Sequence, residues 1–199
     1  MSKKVAIVLN SPTLSRLPSE DEFIICADGG ASHMEKADIL LGDMDSITSQ
    51  IFAKETIVLP VHKDVTDGEF AMKYAIENLS PTEINLYGVT GGRIDHVLGN
   101  LALFTIAHKN NIPCFGKDDN LDIYFTDSKL SIKAKENDTI SIVPFNGDAI
   151  VSLDGFEYPA QKLTIPVSAT LGISNRAIQE EVKILVHSGC VFVFHNITL

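Results

Sequence analysis

Four short clusters of acidic residues and glycines hold most of the chemistry available to this chain of 199 residues. They are Asp28-Gly29-Gly30, Gly42-Asp43-Met44-Asp45-Ser46, Lys63-Asp64-Val65-Thr66-Asp67 and Gly91-Gly92-Arg93-Ile94-Asp95-His96. Asp43 and Asp45 stand two apart, so in an extended loop both carboxylates can point the same way. Placed so, they repel each other unless a cation sits between them. Mg²⁺ takes one or two carboxylates and completes its octahedron with water and phosphate oxygens. A lone Asp-x-Asp fits a pair of solvated loop acids just as well. Asp67 and Glu69 suit the positive end of a helix capped by Thr66, but capping accounts for neither Asp64 nor Lys63. The same helix N-terminus can receive a phosphate, and Lys63 can offer it a point charge. Paired glycines let backbone approach a ligand closely, and the neighbouring Arg93 can hold a phosphate through two parallel bonds. His96 and Asn100 fall about one turn apart on one helical face, where His96 serves equally as a cap or a ligand. Neither a GxxxxGK[ST] nor a GxGxxG motif occurs, which argues against an ordinary P-loop kinase or a dinucleotide dehydrogenase.

These clusters need a scaffold that brings them together. Short apolar runs at 5–9, 23–26, 39–41, 57–59 and 84–87 read as buried parallel strands. Helical spacing predicts a helix over 67–79, with Thr66 and Glu69 as a capping box. A second helix is predicted over 95–109, with Val97, Leu98, Leu101, Phe104 and Ala107 as its apolar side. Alternating strands and helices imply a mostly parallel, Rossmann-like sheet flanked by helices. Each acidic cluster then falls just past the carboxyl end of a strand, the edge where open α/β sheets bind ligands. After Gly116 the pattern changes. Lys117-Asp118-Asp119-Asn120 reads as a polar connector. Strand-like pieces follow at 122–125, 130–134, 139–144, 149–153, 163–166, 182–186 and 191–194, separated by turn residues such as Asn146-Gly147 and Ser188-Gly189. That spacing predicts an antiparallel β-sandwich. The expected division is an α/β domain over 1–118 and a β domain over 119–199.

Composition narrows the possible partners. The formal charge of −10 and a pI of about 4.9 argue against nucleic acid, whose phosphates would be repelled. A bound nucleotide would therefore need local compensation, and a divalent cation is the obvious source. Cys26, Cys114 and Cys190 form no CxxC pair, so free thiols in a reducing cytoplasm are expected rather than disulfides or zinc. The apolar run at 5–9 is too short for a signal peptide or a membrane span, so no membrane partner is expected.

Taken in order, the clusters resemble the thiamine pyrophosphokinase family. The strings that carry the resemblance are Ala27-Asp28-Gly29-Gly30, Leu41-Gly42-Asp43-Met44-Asp45-Ser46, Lys63-Asp64-Val65-Thr66-Asp67-Gly68-Glu69 and Gly91-Gly92-Arg93-Ile94-Asp95-His96 with Asn100. Gly172-Ile173-Ser174-Asn175 adds a fifth in the β region. The resemblance implies an α/β catalytic domain followed by a β-sandwich that binds thiamine and forms a homodimer. It implies transfer of the pyrophosphoryl group of ATP to the thiamine hydroxyl with Mg²⁺, giving thiamine diphosphate and AMP. Asp43, Asp45 and Asp67 would hold the metal, and Asp67 would also orient or deprotonate the hydroxyl. Asp28, Lys63, Asp64, Thr66, Arg93, Asp95, His96 and Asn100 would surround the nucleotide, with Arg93 also counted among the catalytic groups. Ser174 and Asn175 would help form the thiamine pocket. Two departures lie on the thiamine side. Arg176 stands where a small or acidic residue is commoner, and no tryptophan exists to stack on a ring, which leaves Phe156, Tyr158 or Phe192. The alternatives are a nucleotide-dependent phosphotransferase for another small alcohol, or a non-catalytic sensor of thiamine diphosphate or a nucleotide.

Overall fold

The computed structural model describes residues 3–44, 51–62 and 64–197. The chain divides into two compact units, Met1–Asp119 and Asn120–Leu199. In the first, six strands run parallel: β1 (Lys4–Val8), β2 (Phe23–Ala27), β3 (Lys36–Gly42), β4 (Phe52–Val58), β5 (Glu83–Tyr87) and β6 (Cys114–Asp118). Their spatial order is β6-β5-β1-β2-β3-β4. Val5 to Val8 are fully buried, as expected of a strand with both faces covered. The chain steps outward from β1 to β4, then returns to the other side of β1 with β5. Ligand crevices of open parallel sheets form at such a reversal, beyond the carboxyl ends of the strands.

Helix α1 (Asp67–Leu79) follows β4, and helix α2 (Ile94–Lys109) follows β5. Thr66 caps α1 by accepting a hydrogen bond from Glu69 N at 3.1 Å, worth about 1 kcal/mol. The expected capping box is only half present, because the Glu69 carboxylate pairs with Lys73 at 2.7 Å. α1 buries Gly68, Ala71, Met72 and Ala75, whereas α2 buries only Leu103, Phe104 and Ala107. Leu98, expected on the apolar side of α2, is 64% exposed. Both helices expected from the sequence are present. Among the described residues, β2 leads into β3 through a 3₁₀ turn, Asp28–His33. β4 is longer than expected and lies at the sheet edge, mostly exposed. No described helix is long and apolar enough to cross a membrane.

The second unit is antiparallel: β7 (Leu121–Thr126), β8 (Lys129–Lys133), β9 (Thr139–Asp154), β10 (Ala160–Ile165), β11 (Asn175–Arg176) and β12 (Glu181–Asn196). β9 and β12 are each one long strand, where sequence reading expected two strands and a turn. Asn146-Gly147 lies within β9 and Ser188-Gly189 within β12, where the pairing of the two strands shifts register around Ser188. A bulge uses the same glycine and asparagine geometry as a turn, so local sequence cannot separate them. The bulge at Gly189 is tight, because a Cβ there would meet Asp148 O at 2.4 Å. The core of this unit includes Ile140, Ile142, Val151, Phe156, Ile165, Ile184 and Val193.

Candidate active site

Within the first unit, a cleft of about 300 Å³ lies past the carboxyl ends of β1 and β2 and at the N-termini of both helices. Leu9 and Asn10 line it after β1, with Ala27 at the end of β2 and Asp28 just after it. Thr66, Asp67 and Gly68 come from the start of α1, and Asp95, His96, Gly99 and Asn100 from the start of α2. Six sequence-predicted site residues therefore share one wall-to-wall space: Asp28, Thr66, Asp67, Asp95, His96 and Asn100. Close backbone packing shapes the Asp28 side of the cleft. A Cβ on Gly42 would stand 2.8 Å from Asp28 Cβ, and one on Gly30 would stand 2.2 Å from Val8 O. Both positions must be glycine for β1, β3 and the 3₁₀ turn to meet.

Asp28 takes a positive φ of 43° and is buried. Its Oδ1 is buried and accepts no hydrogen bond among the described residues. A buried carboxylate oxygen without a partner is costly, so it calls for a cation or donor from a ligand. Asn100 Nδ2 donates to Val89 O at 3.0 Å, tying α2 to the loop that carries Gly91 and Gly92. Asp95 accepts from Arg93 Nε at 3.1 Å and Nη2 at 2.6 Å, and from His96 N at 3.1 Å. The hydrogen bond from Arg93 and its charge hold the Asp95 carboxyl below the usual carboxylate range. The same pairing raises the Arg93 guanidinium. Arg93 is exposed and does not line the cleft; reaching a phosphate would require this solvent-exposed pair to open.

The other predicted residues fall as follows. Asp43 is half-buried just beyond β3, and Asp64 is exposed; neither lines the cleft. Asp45 and Lys63 lie outside the described residues. The cleft lining contains three carboxylates and neither lysine nor arginine. No three acidic, histidine or cysteine side chains converge on one point among the described residues. A hard cation held by one or two carboxylates and completed by phosphate and water needs no such cage. The donor set suits Mg²⁺ in this respect, and the two helix N-termini add partial positive charge.

Sequence reading missed the supports of the cleft. Asp118, expected in a connector, ends β6 and is buried. It accepts from Val89 N at 2.8 Å, from Thr90 N at 2.7 Å and from the Thr90 hydroxyl. Asp119 accepts from Ser15 N at 2.7 Å and Arg16 N at 2.9 Å, and these bonds lower its pKa. Ser11 Oγ donates to Thr90 O at 2.9 Å. Together they fasten the loop after β1 and the loop after β5. Asn10 was also missed, although it follows an apolar strand just as Asp28 does. A larger hollow of about 610 Å³ lies at the opposite edge, lined by the first residues of β1 to β4. There Lys36 and Lys54 pair with Glu20 and Asp38, so it offers less free charge than its lysines suggest.

In the second unit, Ser174 is exposed with φ 59°, and its N donates to Ser141 Oγ at 3.0 Å. Asn175 is buried. Its Oδ1 accepts from Tyr158 N at 3.1 Å and Arg176 N at 2.9 Å, and its Nδ2 donates to Tyr158 O at 2.9 Å. One amide N–H makes no hydrogen bond among the described residues. Of the three candidate stacking rings, Phe156 and Phe192 are 1% and 2% exposed and belong to the interior, whereas Tyr158 is 65% exposed. The thiols are free, as expected, and burial pushes Cys26 up to about 12, which keeps it inert.

A parallel sheet with carboxylates and two helix N-termini at its reversal point defines a nucleotide-handling α/β protein. Residues 14–115 match the thiamin pyrophosphokinase catalytic domain, and 127–191 match the thiamin pyrophosphokinase vitamin B1 binding domain. The chain is 34% identical over 197 residues to the thiamine pyrophosphokinase of Bacillus subtilis strain 168, covering 92% of this chain and 87% of that protein. The crystal structure of thiamine pyrophosphokinase from Bacillus subtilis superposes with a TM-score of 0.86 at 28% identity, covering 99% and 100% of the two chains. A thiamin pyrophosphokinase family protein from Enterococcus faecalis, at 20% identity, shares the fold with a TM-score of 0.84 over all of both chains. The chain belongs to the thiamin pyrophosphokinase family of enzymes.

Proposed function

We propose that the cleft bounded by Asp28, Asp67 and the N-termini of α1 and α2 is where this chain carries out the pyrophosphokinase reaction. The hydroxyl oxygen of thiamine attacks the β-phosphorus of ATP. A bond forms between them, the α–β bridging bond breaks, and AMP leaves with the bridging oxygen. The hydroxyl proton passes to a base or to water. Such transfers depend mainly on positioning and on meeting charge at the phosphate oxygens.

The observation that carries this reading is the buried Asp28 Oδ1, which accepts no hydrogen bond among the described residues in a cleft lined by acids. Asp43, Asp45 and Asp67 would hold Mg²⁺, with Asp28 beside them. When bound, the ion neutralises charge on the phosphate oxygens. Asp67 lies at the first position of α1, where it can accept a hydrogen bond from the attacking hydroxyl and hold it in line. Thr66, His96 and Asn100 shape the nucleotide side of the cleft. Asp95 holds Arg93 at its rim, and Arg93, released from Asp95, would reach the phosphates with Lys63 and Asp64. Ser174 and the remaining N–H of Asn175 would contact thiamine, and Tyr158 offers the ring for stacking.

On this reading the first unit is a Rossmann-like catalytic domain, and the second is a sandwich for thiamine and dimer formation. Exposed Val167, Leu171, Ile173 and Ile178 in the second unit support a homodimer. The net charge of −10 argues against a nucleic-acid partner, and three free thiols fit a cytoplasmic enzyme. The direct test is incubation with ATP, Mg²⁺ and thiamine. AMP formation is expected, and release of ADP instead, or no product from folded protein, would overturn the reading.

A further inference from the structure

A pair of buried polar side chains in the second unit has no part in the chemistry described so far. His195 Nε2 donates to Asp138 Oδ2 at 2.8 Å, and the two side chains are 5% and 1% exposed. Asp138 Oδ2 also accepts from Lys135 N at 2.8 Å, which closes the turn before β9. Pairs of this kind seldom add net stability, because both groups lose their water; their better attested effect is to select one geometry. The geometry selected here lies next to Ser174 and Asn175.

The connection runs through main-chain bonds. His195 on β12 is in register with Ile140 on β9, and Ile140 is in register with Asn175 on β11. Just before β9, Asn137 N donates to Ala177 O at 2.8 Å, and Ala177 N donates to Asp138 O at 3.0 Å. The peptide units beside the Asp138 side chain therefore grip the residue that follows β11. On its other edge, this strand holds the segment that ends in Tyr158. Glu157 N donates to Arg176 O at 2.9 Å, Phe156 bridges to Ala177, and Asn175 clasps the Tyr158 main chain. β11 itself is only two residues long, so its own ladder fixes little.

We propose that the Asp138–His195 pair is a positioning element for thiamine selection: it sets the placement of Asn175 and, through it, of the exposed Tyr158 ring. The proposal rests on the reading that this strand forms the thiamine side of the site. Both side chains are almost fully buried, so their removal acts on thiamine binding only through β11 and leaves the nucleotide steps alone.

The test compares wild type with His195→Phe, which fills the space without a donor, and His195→Gln, which restores one. For His195→Phe, the KM for thiamine rises about fivefold or more, on the scale of one lost hydrogen bond. The KM for ATP and kcat stay within about twofold. His195→Gln recovers most of the difference. Hydrogen exchange gives a readout independent of activity: amides of Glu157, Tyr158 and Ala177 lose protection in His195→Phe, while those of β10 keep it. An unchanged thiamine KM in an active enzyme overturns the proposal, and so does unchanged protection at those amides. So does a fall in kcat together with a rise in both KM values, the sign of general damage. If the wild type does not turn over thiamine, the reading of the site fails separately, and the exchange result alone decides whether the pair holds the strand.

Discussion

The unit that matches the catalytic domain and the unit that matches the vitamin B1 binding domain treat their polar side chains in opposite ways. In the first unit, Asp28 keeps a buried oxygen that accepts no hydrogen bond among the described residues. In the second, Asn175 spends three hydrogen bonds on its own neighbourhood and keeps one N–H. A site for a small, highly charged group can leave strong acceptors open, because a cation or phosphate-bound water will satisfy them. A site for a flat organic cation needs an aromatic surface held at a fixed angle. There the polar groups do most by fixing backbone. The comparison predicts that cleft variants lose turnover, whereas second-unit variants lose thiamine affinity.

The largest effect is expected from Asp67→Asn. Replacing this carboxylate should lower kcat by roughly a hundred- to a thousandfold, the range seen when one group that stabilises transition-state charge is lost. The melting temperature should move little, because the Thr66 cap remains. An AMP-release assay beside a thermal melt checks this, and near-wild-type turnover would remove Asp67 from the chemistry. Gly30→Ala tests the backbone beneath Asp28. Its Cβ would meet Val8 O at 2.2 Å, so a loss of about 1–3 kcal/mol is expected, as for other overpacked interiors. Urea unfolding measures it, and unchanged stability would mean that the 3₁₀ turn can move away from β1.

The clusters around Asp28, Asp67 and Asp95 were legible because each follows an apolar run or opens a helix, and both signals are local. The strand order that brings them together was not, since pairing of β5 beside β1 is a long-range fact. Asp118 escaped notice for a different reason. β6 reads Cys-Phe-Gly-Lys-Asp, and its polar end resembles a linker until Val89 and Thr90 are seen to donate to it. The long strands β9 and β12 were cut in two because a bulge and a turn draw on the same residues. For the proposed ring contact the sequence offers three aromatic candidates, and only burial separates Tyr158 from Phe156 and Phe192.

Smaller effects sharpen the second half of the comparison. Asn175→Ala leaves the main-chain N–H and C=O of Tyr158 without their partners. It should cost about 1–3 kcal/mol of stability if they stay buried and raise the thiamine KM, with the ATP KM unchanged. Tyr158→Ala should leave stability within about 0.5 kcal/mol, as for most exposed positions, yet raise the thiamine KM about tenfold at most, on the scale of an aromatic contact. A thiamine KM indifferent to Tyr158 would mean that the ring is held by something else.

The smallest effect concerns the pair at the mouth of the cleft. Arg93 and Asp95 are both exposed, so their attraction is screened and contributes little to stability. It still lowers the pKa of the Asp95 carboxyl. A carboxyl whose folded pKa is depressed contributes stability above its unfolded pKa and loses it as pH falls through the folded value. In Arg93→Ala, the Asp95 carboxyl should therefore titrate at a higher pH than in the wild type, closer to the usual carboxylate range, as a carbon-detected NMR titration would follow. Added salt should move the wild-type value in the same direction and leave the variant nearly unchanged. If the wild-type titration is insensitive to both, the pair is already open in solution. Arg93 would then be available to phosphate without first giving up Asp95.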